Sequence, residues 1–181
     1  MAAGGPPQNI YGTDLRAEFW ELGYELFRDR ETLGVKFVTG DIFDEGPTSG
    51  LRQLDGRVDI VHMASFLHLF NWEGQVRACK RLVRLLSPAP GSVVFGRQRR
   101  NVKPGEYDHR TNAGGTMYRH DVESWKKLWE QVGNETGTNW DVKGDLLDTE
   151  EEVGEGNGTL SLEEGWRDAN DRQFRFEVQH L

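Results

Sequence analysis

Cysteine is nearly missing from this 181-residue chain: Cys79 is the only one and cannot close a disulfide within it. That excludes a disulfide scaffold and a cysteine-rich zinc site. No apolar run approaches the ~18 residues of a membrane span. The opening Met1-Ala-Ala-Gly-Gly-Pro-Pro has neither the basic nor the apolar stretch of a signal peptide, and Ala2 stands where N-myristoylation requires glycine. Cations are scarce too, with 22 Lys and Arg against 30 Asp and Glu, a net charge of −8. Such a chain is repelled by phosphate backbones and anionic lipid, so neither nucleic acid nor membrane is expected as a partner. The expectation is a cytoplasmic protein. Apolar residues make up 36%, below the usual ~45–50%, but six Trp, nine Phe and four Tyr supply enough bulk for one core. Residues 1–181 are read as one domain.

Asn9–Thr13 is strand-like, and after Asp14 the residues Leu15, Phe19, Leu22 and Leu26 fall on one face of a helix that Gly34 would end. Strands are expected at Val35–Thr39 and at Val58–Ala64, the latter apolar enough to be covered on both faces. A helix is predicted from Trp72 to Leu86, closed by Ser87-Pro-Ala-Pro-Gly, and a buried strand at Ser92–Phe95. After the polar segment Gly96–His120, Asp121 is the N-cap of a helix with Val122, Trp125, Leu128, Trp129 and Val132 as its apolar stripe. Strands follow at Trp140–Leu147 and Arg172–Leu181, separated by an acidic, Gly-rich stretch, 148–164, read as a flexible loop. Helices between successive strands define an α/β protein with right-handed crossovers, and ligands of such sheets bind beyond the carboxyl ends of the strands.

Two acids stand at those ends. The two oxygens of Asp14 match the vicinal hydroxyls of a ribose, or Asp14 caps the helix that follows. Asp41 can accept from an adenine amino group while Ile42 packs on the purine, or it is a turn residue beside Gly40. Together they suit a nucleoside.

The stretches Tyr11-Gly-Thr-Asp-Leu-Arg, Thr39-Gly-Asp-Ile-Phe-Asp, Val58-Asp-Ile-Val-His-Met-Ala-Ser-Phe-Leu-His-Leu-Phe and Gly96-Arg-Gln, with Gly105-Glu-Tyr and His109-Arg-Thr-Asn, resemble class I S-adenosylmethionine-dependent methyltransferases. The closer likeness is to the fungal branch associated with meroterpenoid and related secondary metabolites. The resemblance runs from about Asn9 to Trp140. It implies a Rossmann-like, mostly parallel sheet with an antiparallel C-terminal strand, S-adenosyl-L-methionine as cofactor, and a small-molecule acceptor, O-methylation being favoured. Asp14 and Leu15 would hold the ribose, Asp41 and Ile42 the adenine, and Ala64 and Ser65 would lie by the methionine part. His62, His68 and His109 are the candidate bases, each with a packing role as its plain alternative. A homodimer is compatible with this reading, and the other function class is a non-catalytic remnant or interaction protein of the same fold.

One part of the family pattern is missing. The Gly-rich turn after the first strand should precede the ribose acid by about 20 residues, and Asp14 has only 13 before it. Gly4-Gly-Pro-Pro has no strand before it, and Gly154-Glu-Gly-Asn-Gly follows an acidic run instead of a buried strand. Without that strand, two others keep unpaired edges. The expectation is an N-terminally shortened methyltransferase domain.

Overall fold

The computed structural model describes residues 6–101, 103–109, 112, 114–147 and 171–181. The expected acidic loop at 148–164 and the Gly154 decoy lie outside them. The chain separates into two compact units, residues 1–55 and 56–181.

In the first unit, β1 (Tyr11–Asp14) and β2 (Lys36–Thr39) pair in parallel, joined by α1 (Ala17–Phe27). The helix starts after Arg16 without a side-chain cap and ends at Phe27, seven residues before Gly34, its C-cap Arg28 having a left-handed φ of 54°. Trp20 fixes α1 on the strands: its indole stacks on Phe37 with 4.7 Å between centroids and packs over Gly12. A 3-10 turn, Gly50–Leu54, buries Leu51 and Leu54. The expected stripe Leu15, Phe19, Leu22 and Leu26 is present and all four residues are exposed. Periodicity establishes that a stripe exists and says nothing of what covers it.

In the second unit the sheet runs β3-β4-β8-β7, with β3 (Ile60–Ala64), β4 (Val93–Asn101), β7 (Trp140–Leu147) and β8 (Asp171–His180). β3 and β4 are parallel, and β8 is antiparallel to both its neighbours, as the resemblance implies. Between them lie α2 (Trp72–Leu85), the hairpin β5 (Gly105–Asp108) and β6 (Thr116–Arg119), and α3 (Val122–Thr136). The Asn71 side chain caps α2 by accepting from the Gly74 N–H (2.9 Å). Asp121 and Ser124 form a capping box on α3, which stops at Gly137 with φ 71°.

Alternation puts Val94, Phe174, Phe176 and Val178 on one sheet face, where the Trp125 ring meets Phe174 and Phe176 at 5.6 and 4.7 Å. Cys79 is fully buried in the same core, and burial pushes its thiol up, so it is a packing residue and no nucleophile. The opposite face of the sheet is open. Ile60 is 62% and Phe95 40% exposed, and His62, Ala64, Arg175 and Glu177 are exposed beside them. β3 was expected to be covered on both faces and β4 to be buried; in this unit only one face is covered, because α2 and α3 both belong to the side of Val94 and Phe174. β1 pairs only with β2 and β3 only with β4 among the described residues, so each keeps a free edge.

A buried polar cluster locks the hairpin to α2. His120 is fully buried, with Nε2 3.0 Å from Gln75 Oε1 and Nδ1 3.1 Å from Ser124 Oγ, while Gln75 Nε2 donates to the carbonyls of Phe70 and Tyr118. Burial lowers the His120 pKa from 6.5 to about 3, so the folded ring is neutral. The unfolded chain takes up that proton below pH ~6.5. Stability from this residue is therefore complete above that pH and is lost as pH falls towards 3. Urea unfolding at about pH 4.5 should show a loss on the order of 2–3 kcal/mol relative to pH 7, and a smaller loss in His120→Asn; equal losses in both proteins would refute it.

Candidate functional site

Parallel pairing decides the position of the two acids. Asp14 is in register with Thr39, and the Gly40 N–H donates to the Asp14 carbonyl at 3.1 Å. Asp14 and Asp41 thus leave adjacent strands at the same carboxyl end. Each closes a turn with one oxygen: Asp14 Oδ1 accepts from the Arg16 N–H and Asp41 Oδ1 from the Phe43 N–H, both at 2.8 Å. The expected alternative, Asp14 as the cap of the following helix, is not what is found: α1 has Arg16 as its N-cap with no side-chain cap, and Asp14 braces the turn before it. The second oxygen of each takes no hydrogen bond among the described residues, and both side chains are exposed. Leu15 is 63% exposed next to Asp14, and Ile42 is half-buried next to Asp41. The arrangement offers two fixed acceptors flanked by two apolar side chains, which suits a ligand with hydroxyl or amino donors on an apolar ring.

In the second unit Ala64 ends β3 and Ser65 follows with φ 53°, held by its N–H on the Arg97 carbonyl at 2.8 Å. A non-glycine residue in this region costs on the order of 1–3 kcal/mol. Nothing in the residue type of Ser65 signals this backbone.

The three histidines are scattered over different elements. His62 is exposed in the middle of β3, its ring 5.0 Å from Phe95. His68 is half-buried in the 3-10 turn Leu67–Leu69. His109 follows β5, and its Nδ1 accepts from the Asn112 N–H at 3.1 Å. The polar segment Gly96–His120 contains the end of β4 and the whole β5–β6 hairpin. It is tied down through Tyr118 N–H to the Phe70 carbonyl (2.8 Å) and Trp72 N–H to Glu106 Oε1 (3.1 Å). Arg119 lies 4.6 Å over the Tyr107 ring. Among the described residues no group of three or more His, Cys, Asp or Glu could hold a metal ion, and no helix is long and apolar enough to cross a membrane.

The fold is Rossmann-like and resembles that of S-adenosylmethionine-dependent methyltransferases. It superposes with TM-score 0.61 on the Burkholderia thailandensis 1,6-didemethyltoxoflavin-N1-methyltransferase, solved with S-adenosylhomocysteine and 1,6-didemethyltoxoflavin, over 95% of this chain and 61% of that one at 11% identity. An equal TM-score with a Rhodobacter sphaeroides protein named for zinc-dependent alcohol dehydrogenases, at 14% identity and over 95% and 75% of the two chains, shows that likeness of fold fixes no activity.

Sequence narrows the likeness further, to fungal methyltransferases. It is 48% identical to O-methyltransferase phiE of a fungal species over 160 residues, 88% of this chain and 53% of that protein. It is 43% identical to O-methyltransferase atr3 of Stereocaulon alpinum over 181 residues, all of this chain and 49% of that protein. The chain thus spans about half the length of these curated relatives. No protein-family profile matches it.

Proposed function

We propose that this chain carries the nucleoside-gripping part of an S-adenosyl-L-methionine-dependent O-methyltransferase acting on a small secondary metabolite, and that its two units belong to one such domain. The observation carrying this reading is the pair of acids, each anchored by one oxygen at the same end of two parallel strands. The cofactor fits them: Asp14 would receive the ribose hydroxyls, Asp41 the adenine amino group, with Leu15 and Ile42 on the apolar flanks. Ala64 and Ser65 are assigned to the methionine part by resemblance. When bound, the cofactor supplies an already activated methyl group, so the protein's task is to align the acceptor and exclude water. An acceptor hydroxyl of high pKa would also need a base, for which His62, His68 and His109 are the candidates.

Asp14→Asn isolates the claim. The asparagine oxygen still accepts from the Arg16 N–H and keeps the turn, while the amide group replaces the oxygen offered to ribose. Charge-assisted hydrogen bonds contribute about 1.5–3 kcal/mol, so titration calorimetry with S-adenosylhomocysteine should show roughly ten- to hundred-fold weaker binding. An unchanged affinity in the variant, or no saturable binding by the parent chain, would sink the proposal.

A further inference from the structure

The chain leaves β3 at Ser65, turns back through the 3-10 turn Leu67–Leu69 and enters α2 after Asn71. Ser65 is exposed and carries a left-handed backbone, φ 53°. Such a conformation persists only where the surroundings over-determine it. One constraint acts at Ser65 itself, whose N–H is bound to the Arg97 carbonyl. The other lies deeper in the same unit, where Leu67, Gln75 and His120 are all fully buried.

Elimination fixes the hydrogen-bonding roles in that cluster. Gln75 Nε2 is 3.0 Å from the Phe70 carbonyl and 2.8 Å from the Tyr118 carbonyl. Carbonyls only accept, so the amide NH2 must face them, and Oε1 must face His120. His120 Nε2, 3.0 Å from that oxygen, then carries the ring proton. In the neutral ring this leaves Nδ1 to accept from the Ser124 hydroxyl at 3.1 Å. Donation thus runs one way, from Ser124 through His120 and Gln75 to two backbone carbonyls. The Phe70 carbonyl closes the segment that Ser65 opens, and it also receives the Tyr118 N–H. A side chain unable to donate twice would strip both carbonyls of this partner, and the cost would fall on that segment first.

We infer that Gln75 is a positioning residue: oriented by His120, it holds residues 65–70 in the path that presents Ser65 to the amino-acid end of the cofactor. The inference rests on the function proposed above, which assigns Ser65 to that part of the cofactor. Gln75 acts through the backbone of Phe70 and Tyr118.

Gln75→Met keeps the length of the side chain and removes both donors. In the 181-residue chain it should weaken S-adenosylhomocysteine at least about ten-fold in titration calorimetry. Binding of 5′-methylthioadenosine, which keeps the nucleoside and lacks the amino-acid part, should change less than about two-fold. Amides of Leu67–Phe70 should exchange with solvent faster than in the parent. Val132→Ala removes fully buried bulk further along α3 and should leave the ratio of the two affinities unchanged. In the parent, nitrogen-15 shifts of His120 should put the ring proton on Nε2, a result that needs no variant. A proton on Nδ1, an unchanged S-adenosylhomocysteine affinity in Gln75→Met, equal losses for both ligands, or the same shift in Val132→Ala would overturn this inference alone. A parent chain that does not bind S-adenosylhomocysteine would overturn the proposed function, and this inference with it.

Discussion

Trp125→Ala should cost about 3–5 kcal/mol of stability, the range for removing a fully buried aromatic. The ring is 0% exposed and sits at the centre of the second unit, 4.7 Å from Phe176, 5.6 Å from Phe174, 5.4 Å from His120 and 6.2 Å from Trp129. Those four partners come from β8, the end of β6 and α3 itself, so the cavity would open where helix, sheet and hairpin meet. Rigid neighbours on three elements cannot all move in to fill it. Urea unfolding followed by circular dichroism measures the loss, and a change under about 1 kcal/mol would show that this is not the hub of the core. Phe95→Ala, on the open face of β4 and 40% exposed, should be much milder.

The second large effect is expected at Gly96. This residue pairs with Met63 on one side and Phe176 on the other, in the middle of the sheet. A Cβ placed there would overlap the Met63 carbonyl oxygen and come within 2.7 Å of its carbon. The obstacle is backbone, which cannot swing aside as a side-chain tip can. Gly96→Ala should therefore separate β3 from β4 and cost more than about 4 kcal/mol, or remove cooperative unfolding altogether. Hydrogen exchange distinguishes this from a general weakening: amides of Ile60–Ala64 should lose protection before those of β7 and β8. Uniform loss across the sheet, or a variant as stable as the parent, would contradict the close approach. Ser65 follows β3 directly, so the same substitution should disturb its left-handed backbone as well.

How much of this was legible depended on whether a residue's neighbours are near in sequence. The stripe of α3 was readable, and the structure buries Trp125, Leu128, Trp129 and Val132. The alternation of Phe174, Phe176 and Val178 also gave the final strand, because a period of two is a local signal. The two acids fell where their strand-end positions implied. The hairpin β5–β6 was missed: its two four-residue runs are mostly polar, and its hold comes from Phe70, Trp72 and Gln75, 34 to 48 positions away. The stripe of α1 was legible but not its exposure, and the apolar run of β3 was read as covered on both faces, since pattern alone cannot separate a face that is covered from one that is bare. The backbone of Ser65 left no trace in the sequence.

The short turns around Asp14 and Asp41 bear on how quickly a ligand could be held. Freezing a mobile side chain on association commonly costs about 0.5–1.5 kcal/mol, and here each carboxylate is already immobilised when the chain folds. On the proposed function, an incoming nucleoside would meet a preorganised pair of acceptors. Its capture then requires no slow rearrangement in that unit, and differences in affinity among analogues would be written in how fast they leave.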